Sequence, residues 1–342
     1  MTTATVSPAR IMDVGMAFWP SKVLLSAIEL RLFSELGSRA MTGGELQAAL
    51  GLHSRANPDF FDTLVSLRFL DREGEGAEAR YRNTPETALF LDRGSPRFMG
   101  GFLEMANARL YPFWGDLTEA LQTGRPQNEI KHNGTSMFAE LYSKPERLEQ
   151  FMDAMSGLSA ANFEAFAEKF DFSRYQTLCD VGGATGQLSM AVATRHSHMR
   201  CTSLDLPAAT AIAERKIAAA GMADCVSARS LDFFAEPLRK ADVITMGMIL
   251  HDWNLEKKMH LVRAAYEALP PGGAFVVVEN LIDDARRENA FGLMMSLNML
   301  IEFGDAFDFT VADFFGWCRQ VGFRTMEVIP LAGPASAGVA YK

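Results

Sequence analysis

The fold of this chain is decided by the stretch Leu178-Cys-Asp-Val-Gly-Gly-Ala-Thr-Gly-Gln-Leu188. It predicts an apolar strand that runs into a glycine-rich turn and then a helix, because glycine permits a tight turn and lets a ligand lie against the backbone. A dinucleotide fingerprint requires G-x-G-x-x-G, and Ala184 breaks that pattern counted from Gly182. Asp180 would repel a pyrophosphate but suits a ligand with a cationic amino group or a sulfonium. The stretch therefore disfavours a nicotinamide-dependent dehydrogenase.

Beyond this stretch, short apolar segments alternate with helical ones, which is the pattern of a doubly wound α/β sheet. The predicted strands span residues 177–181, 200–204, 225–230, 241–247, 274–281, 323–329 and 336–341. In such sheets ligands bind outside the carboxyl ends of the strands. We therefore predict a seven-stranded, mostly parallel, Rossmann-like domain over residues 171–342, with its site at that edge.

Acidic residues follow successive predicted strands. Asp205 ends the second strand, 19 residues after Gly186, a spacing at which a carboxylate can accept hydrogen bonds from ribose hydroxyls. Asp232 ends the third strand, where it and Phe233 could contact an adenine. Each aspartate alone fits a helix cap or turn. Together with Asp180 beside the glycine turn, they predict a nucleoside site.

A histidine lies just past the fourth predicted strand, in the stretch Met246-Gly-Met-Ile-Leu-His-Asp-Trp253. This position at the carboxyl end of the sheet makes His251 a candidate catalytic residue. The competing interpretation is structural, with His251 at a helix start and Asp252 capping the next helix. The neighbouring nucleoside site favours the catalytic interpretation.

The N-terminal part is predicted to be mostly helical. Apolar residues recur with helical spacing over 11–36 with a break near Pro20, and Thr42 and Glu45 have the spacing of a capping box. A polar segment over 71–84 predicts a hairpin wing after two short helices. Helix-turn-helix plus wing is also the outline of a DNA-binding regulator. The second helix is apolar rather than basic, which favours a dimerisation module over DNA binding.

Residues 96–170 are predicted to be helical and rich in aromatic side chains, with Phe102, Met105 and Trp114 as candidates for an apolar pocket. We divide the chain into a dimerisation domain over 1–100, a helical linker and substrate-pocket region over 101–170, and the catalytic domain over 171–342. Phe138 falls in the helical part of the linker region.

Composition excludes some classes of protein. The chain has 342 residues and a formal charge of −9, so its overall electrostatics disfavour nucleic acid. No run reaches about 18 consecutive apolar residues, and the start lacks the apolar core of a signal peptide. The four cysteines include no C-x-x-C pair. We expect a cytoplasmic protein without a metal site or membrane partner.

Several motifs together resemble those of class I S-adenosylmethionine-dependent methyltransferases. Within that class the chain is similar to plant-type small-molecule O-methyltransferases, such as those of caffeate and acetylserotonin, and to their bacterial relatives. The resemblance covers essentially the whole chain and rests on Asp180-Val-Gly-Gly-Ala-Thr-Gly, Leu204-Asp-Leu-Pro, Leu231-Asp-Phe-Phe, Leu250-His-Asp-Trp, Tyr266-Glu-Ala-Leu-Pro-Pro-Gly-Gly and Val278-Glu. It implies S-adenosyl-L-methionine as cofactor, S-adenosyl-L-homocysteine as product, and a homodimer built by a winged-helix-like N-terminal domain.

The resemblance also assigns roles to residues. Asp180 and Gly182 would hold the methionine end of the cofactor, Asp205 the ribose, and Asp232 with Phe233 the adenine. The remaining residues of the cofactor site would be Gly183, Gly186, Leu206 and Met246.

His251 would be the general base, and its acidic partners would be Glu279 and Asp308. The family carries Glu-Arg-Thr where this chain has Asp308-Phe-Thr, which puts the second partner in doubt. Ala184 replaces a glycine of most members, and Gly247 replaces a lysine of plant members.

The chemistry fits a hydroxyl acceptor. A phenol has a pKa near about 10 and histidine near about 6.5, so a neighbouring carboxylate must raise the basicity of His251. Met-rich residues 289–303 would line an apolar pocket in which Asn298 orients a flat acceptor. The remaining pocket candidates are Met248, Asp252, Met295 and Met299.

We therefore expect O-methylation of a phenolic, hydroxy-naphthoate-like or polyketide-derived acceptor in secondary metabolism. Two alternatives remain open: C- or N-methylation, for instance of a 2-oxo acid, and a relative that binds the cofactor without transferring methyl. The sequence does not choose the acceptor.

Overall fold

The computed structural model describes residues 6–134, 141–142 and 144–342, and the side chains of 132 and 133 are not described. Phe138 lies outside the described residues. The chain divides into two compact units, Met1–Pro112 and Phe113–Lys342. The second unit therefore begins inside the segment that the sequence assigns to a linker.

The N-terminal unit combines helices with a small antiparallel sheet. Its helices are α1 Ala9–Gly15, α2 Phe18–Glu29, α3 Leu32–Leu36, α4 Gly43–Ala49, α5 Asp59–Ser66, α6 Pro85–Phe90 and α7 Gly100–Met105, followed by a π-helical turn Ala106–Leu110 and the short α8 Tyr111–Phe113. Its strands are β1 Met41–Thr42, β2 Leu70–Glu73 and β3 Arg80–Asn83, in the order β1-β3-β2. Strands β2 and β3 form the predicted hairpin, with Leu70 opposite Asn83.

Two local predictions in this unit have different outcomes. The Thr42–Glu45 capping box is confirmed, since each side chain accepts a hydrogen bond from the other residue's backbone N–H. The apolar stretch forms two helices, as its break predicts, but the break lies at residues 16–17 rather than at Pro20, because α1 ends at Gly15 and α2 begins at Phe18. Pro20 lies in the first turn of α2, where a backbone N–H has no intrahelical acceptor and its loss costs little.

The first helices present an exposed apolar surface. Among the described residues, the stretch Ala9–Glu29 is long and apolar enough to cross a membrane by length and composition, and it is mostly unburied. Its exposed side chains include Ile11, Val14, Phe18 and Trp19. Exposed apolar side chains grouped on neighbouring helices are typical of an interaction face.

The C-terminal unit carries the large sheet. Its helices are α9 Leu117–Thr123, α10 Glu129–Asn133, α11 Pro145–Lys169, α12 Gln187–Arg195, α13 Pro207–Ala219, α14 Leu255–Ala268, α15 Ala290–Phe303 and α16 Val311–Val321. The prediction of continuous helix over 96–170 is wrong at residues 124–128. Gly124 ends α9 with a left-handed backbone (φ 66°), and Pro126 follows, so the helix cannot continue.

The seven predicted strands are confirmed, with ends within two residues of those observed. They are β4 Thr177–Val181, β5 Arg200–Asp205, β6 Val226–Ser230, β7 Val243–Gly247, β8 Ala274–Glu279, β9 Thr325–Pro330 and β10 Ser336–Tyr341. Their order is β6-β5-β4-β7-β8-β10-β9, parallel except for β10, which pairs antiparallel with β8 and β9. The order reverses between β4 and β7, which is where ligands bind in such sheets.

Candidate active site

The glycine turn after β4 brings backbone close to neighbouring side chains. A Cβ at Gly183 would lie 2.2 Å from Ser203 Oγ, and one at Gly182 would lie 2.2 Å from the Ile249 side chain. Gly182 and Gly186 also have left-handed backbones, with φ of 71° and 78°. These close approaches explain why glycine is required at these positions.

Asp180 is buried at the end of β4 and accepts a hydrogen bond from the Thr245 hydroxyl at 2.7 Å. Burial raises the pKa of its carboxyl to about 7; the Thr245 hydrogen bond opposes the rise and Asp205 adds to it. A cationic ligand group would favour the ionised form. Asp180 therefore has the properties of a partner for an ammonium or sulfonium.

Asp205, at the end of β5, already has several hydrogen-bond donors. One oxygen accepts from Leu206 N–H at 2.7 Å and from the Tyr142 hydroxyl at 3.1 Å, and the other accepts from Ala184 N–H at 3.0 Å. Burial raises the pKa of the Asp205 carboxyl, and these hydrogen bonds oppose the rise. The Tyr142 hydroxyl thus occupies one acceptor position of the Asp205 carboxylate.

The predicted adenine residues are more open. Asp232 is exposed and accepts a hydrogen bond from Phe234 N–H at 2.9 Å, so it forms a local turn. Phe233 is half-buried and packs edge-on against Trp253, with ring centroids 6.3 Å apart. Leu206 is exposed. Met246, in contrast, is fully buried in the core beneath the site.

His251 lies in a single 3-10 turn, Leu250–Asp252, between β7 and α14. Met248 just before it has a left-handed backbone (φ 56°), and its N–H is bonded to the Val278 carbonyl at 2.9 Å. A left-handed methionine is strained, and such strain collects at functional sites. The bond from Met248 N–H ties the segment before the histidine turn to the end of β8.

Three acids surround the imidazole. His251 Nε2 lies 3.3 Å from Asp252 Oδ1, and Nδ1 lies 3.5 Å from Asp308 Oδ1. Glu279 Oε1 accepts a hydrogen bond from Leu250 N–H at 3.0 Å, which fixes the end of β8 to the histidine turn. One imidazole nitrogen of His251 and one carboxylate oxygen each of Glu279 and Asp308 all lie within 4.8 Å of one another. The structure thus brings the predicted base and both predicted acids together.

Asp308 is brought to the site by backbone pairing. Ile282 N–H donates to the Phe309 carbonyl at 3.0 Å, and Val311 N–H donates to the Ile282 carbonyl at 3.3 Å. These bonds hold the segment before α16 beside the end of β8. Ser296 on α15 accepts a hydrogen bond from Asp308 N–H at 3.2 Å.

The electrostatics of this cluster strengthen the base. Burial opposes the imidazolium, but Asp252, Glu279 and Asp308 outweigh it and raise the pKa of His251 to about 10. Burial raises the pKa of Asp252 to about 6 and that of Glu279 to about 7, against the pull of His251. A base with such a pKa is matched to a phenol, whose pKa is near about 10.

Some polar atoms of the cluster have no partner. His251 Nδ1, Glu279 Oε2 and Asp308 Oδ2 are buried without a hydrogen bond among the described residues. Unpaired buried polar atoms are costly, so their grouping at one place indicates a functional site rather than a structural one.

The capping alternative for Asp252 is wrong. The residue that caps α14 is Asn254, whose side chain accepts a hydrogen bond from Lys257 N–H at 3.1 Å. Asp252 instead faces His251.

Four predicted pocket residues of the C-terminal unit lie on two elements: Trp114 in the turn before α9, and Met295, Asn298 and Met299 on α15. Trp114 Nε1 donates a hydrogen bond to Asn298 Oδ1 at 2.9 Å, which connects this turn with α15. Met295 is half-buried and Met299 is buried on α15, which packs against the histidine turn. Phe102 and Met105 lie on α7 of the N-terminal unit, and their pocket role stays a prediction.

Two departures noted in the sequence have local explanations. Ala184 has a left-handed backbone (φ 45°), so it tolerates a conformation that glycine adopts freely. At Gly247 a Cβ would lie 3.0 Å from the Phe163 ring, so Phe163 fills the space that a larger side chain would need.

Sequence reasoning missed Tyr142 and Lys258. Tyr142 lies 63 residues before its partner Asp205, and no local pattern connects them. Lys258 is buried, and its signal was a lysine in the apolar stripe of α14.

Comparison with known families identifies the class. Residues 114–324 match the O-methyltransferase domain family, and residues 12–93 match the O-methyltransferase dimerisation domain family. The chain therefore belongs to the O-methyltransferase family and is an S-adenosylmethionine-dependent methyltransferase.

Individual relatives share nearly the full length. The chain is 36% identical to the tetracenomycin polyketide synthesis 8-O-methyl transferase TcmO of Streptomyces glaucescens, over 98% of this chain and 97% of the relative. It is 31% identical to the N,N-dimethyltransferase OxyT of Streptomyces rimosus, over 96% and 95%. Among solved structures, human N-acetylserotonin methyltransferase in complex with S-adenosylmethionine aligns with a TM-score of 0.90 and 27% identity, over 100% of this chain and 99% of that one.

Proposed function

We propose that this enzyme methylates a hydroxyl group of an aromatic, polyketide-derived acceptor in secondary metabolism, with His251 as general base. The observation that carries the proposal is the histidine cluster, in which Asp252 and Asp308 lie 3.3 and 3.5 Å from the two imidazole nitrogens. A relative that acts in polyketide synthesis supports the acceptor class.

The cofactor residues fit S-adenosylmethionine, which supplies the methyl group when bound. The turn from Gly182 to Gly186 follows the carboxyl end of β4, where ligands bind in such sheets, and Asp180 offers a carboxylate to the cationic methionine end. Asp205 would accept hydrogen bonds from the ribose hydroxyls, which would replace the Tyr142 hydroxyl. Asp232 and Phe233 would contact the adenine. Gly183 in the glycine turn and Leu206 directly after Asp205 complete the proposed cofactor site. Met246 supports the site from the core.

In its neutral form His251 would accept the proton of the acceptor hydroxyl as the oxygen attacks, so with a His251 pKa of about 10 we expect the rate of transfer to rise with pH below that value. The nearby carboxylates make the imidazole a stronger base, and such general-base help is worth about 10²–10⁴-fold in rate. Alignment of the two reactants contributes about 7–11 kcal/mol. Asp252 is placed on the Nε2 side, where it would contact the acceptor. Glu279 and Asp308 lie on the protein side and orient the ring.

Asn298 limits the chemical class of the methyl acceptor. An indole N–H only donates, so the Trp114 bond fixes the Asn298 carbonyl oxygen toward Trp114. The amide NH₂ has no partner among the described residues and can only donate. We infer that the acceptor carries a carbonyl or carboxylate oxygen near its hydroxyl, with Met248, Met295 and Met299 contributing the apolar walls. Hydroxy-naphthoates and hydroxyquinones have this pattern.

We also propose a homodimer through the N-terminal unit. The exposed apolar residues of Ala9–Glu29 fall largely within the matched dimerisation domain, so a second copy is the occupant that explains them. On this view the stretch is an interface rather than a membrane anchor, consistent with a cytoplasmic enzyme. Sedimentation that gives a monomer at micromolar concentration would contradict the dimer.

The test is an acceptor screen with labelled cofactor across phenols, hydroxy-naphthoates, hydroxyquinones, amines and 2-oxo acids. We expect transfer to a hydroxyl beside a carbonyl. His251→Ala should lower the rate by at least about 10²-fold while binding of S-adenosylhomocysteine, measured by calorimetry, stays unchanged. An unchanged rate would return His251 to a packing role.

N-methylation is the second candidate, because an N,N-dimethyltransferase is among the relatives. The amine arm of the screen separates the two. A metal-dependent reaction would need a stoichiometric metal, so metal analysis of the purified enzyme belongs to the same experiment. We expect full activity after treatment with a chelator. Binding of the cofactor without transfer to any acceptor would favour a non-methylating relative.

A further inference from the structure

Lys258, on α14, is a charged residue in the core. Its relative exposure is 0%, and it shares the buried stripe of the helix with Leu261, Val262 and Ala265. A buried ammonium is costly unless nearby groups compensate its charge. An apolar side chain at this position would not carry the free-energy cost of burying a charge, so the lysine requires an explanation.

The ammonium is held by two groups next to the histidine turn. Its Nζ donates to the carbonyl of Trp253, the residue that directly follows the turn. It also lies 3.7 Å from the centroid of the Phe307 ring, a cation–π contact. Lys258 thus fastens α14 to the turn that carries His251.

Carboxylates on three elements interact electrostatically with this ammonium. They are Asp252 in the histidine turn, Glu279 at the end of β8, and Asp305 and Asp308 after α15. Burial lowers the pKa of Lys258 to about 8 and these carboxylates oppose the decrease, so attraction of the acids retains the charge. On α16, which also packs against α14, the charged residues Asp313 and Arg319 are exposed.

We propose that Lys258 is a positioning residue for the base: its ammonium fixes the histidine turn and favours the ionised forms of Asp252 and Glu279, so that they support His251. The inference rests on the proposed function of His251. Asp252 and Glu279 hold protons more tightly than free carboxyls because they are buried. Without the lysine charge they would retain protons to higher pH, and a neutral carboxyl no longer stabilises imidazolium.

The first experiment measures kcat/KM against pH for Lys258→Met, which keeps the length of the side chain and removes the charge. In the wild type kcat/KM should rise with pH as His251 loses its proton, and in Lys258→Met this rise should move to lower pH by at least about one unit, because protonated carboxyls no longer hold the proton on the imidazole. Lys258→Arg should return the pH profile toward that of the wild type.

The matched control is Lys257→Met, the neighbouring lysine, which is exposed and lies 4.6 Å from the Trp253 ring centroid. We expect its pH profile to match that of the wild type. A loss in Lys258→Met that is equal at all pH values would mean that the lysine serves only packing, and would overturn the proposal.

A second measurement does not depend on activity. Infrared absorption of protonated carboxyl groups near neutral pH should be stronger in Lys258→Met than in the wild type, and binding of S-adenosylhomocysteine should be unchanged. Equal carboxyl bands would overturn the proposal even if no acceptor were methylated, so failure here is distinct from failure of the proposed function. Lys258→Gln, whose amide can still donate to Trp253, serves if the Met variant does not fold.

Discussion

The basicity of His251 can be tested without knowing the acceptor. Asp252 Oδ1 lies 3.3 Å from Nε2, a distance at which opposite charges attract by about 5 kcal/mol at an effective dielectric constant of about 20. Because one pKa unit corresponds to about 1.4 kcal/mol, this attraction equals between about three and four units. Asp252 therefore supplies a large part of the attraction that, together with Glu279 and Asp308, outweighs burial and raises the pKa of His251 from 6.5 to about 10.

The perturbation is Asp252→Asn, which keeps the shape and removes the charge. Since Glu279 and Asp308 remain, we expect the pKa of His251 to fall by at least about two units rather than the full amount. The sign follows from the charges: a raised pKa keeps the imidazolium protonated well above pH 6.5, and loss of the carboxylate lets the proton leave at lower pH.

The assay is a pH titration of the imidazole carbon signals in protein labelled at its six histidines. The signal of His251 is assigned by its disappearance in His251→Ala. In the wild type we expect His251 to stay protonated to about pH 9. A His251 that titrates near 6.5 in the wild type, or that does not respond to Asp252→Asn, would refute the charge argument.

Three further predictions follow from the cofactor turn. Ala184→Gly should raise the free energy of unfolding by about 0.5–1 kcal/mol in denaturant titrations, because it relieves the left-handed alanine; the helical substitution Ala191→Gly should have the opposite sign. Gly183→Ala should weaken binding of S-adenosylhomocysteine, measured by calorimetry, at least about tenfold, because the new Cβ would lie 2.8 Å from Asp180 Oδ2. The control is Gly316→Ala, which has open space around its Cβ and should bind S-adenosylhomocysteine as the wild type does. Affinity for S-adenosylhomocysteine should rise about fivefold from pH 6 to pH 7 as Asp180 ionises, since its pKa is about 7, and a flat profile would show that Asp180 does not meet the amino group.

The sheet was predictable because buried parallel strands are nearly continuous apolar runs, and this sequence separates them with helical segments. The same topology predicts where side chains meet, since residues at the carboxyl ends of adjacent strands share one edge. Asp180, Asp205 and His251 could be placed for that reason. Prediction of the helical region was poorer, because helical periodicity alone does not mark an interruption such as that after Gly124.

The long-range partners of the site were not predictable. Tyr142 reaches Asp205 from a helical segment outside the sheet, and Trp114 reaches Asn298 across 184 residues. Such pairs depend on how helices pack, which a single sequence does not specify. Lys258 left a detectable signal, a lysine at an apolar position, but the pattern alone does not separate a buried charge from a long side chain that extends to solvent.

The altered motif Asp308-Phe309-Thr310 shows why a departure in sequence need not change the place of a functional group. Phe309 is buried and packs on Trp317, with ring centroids 5.0 Å apart, so its side chain contributes apolar packing in place of a charge. The position of the segment comes instead from backbone hydrogen bonds between Ile282 and residues 309 and 311. Because backbone bonds do not depend on side-chain identity, Asp308 stays beside His251. Asp308 has a shorter side chain than the glutamate of the family motif, and its Oδ1 lies 3.5 Å from Nδ1 of His251. A strong charge-assisted hydrogen bond is about 2.8 Å long. Asp252 and Glu279 therefore contribute more to raising the pKa of His251 than they would beside a closer Asp308.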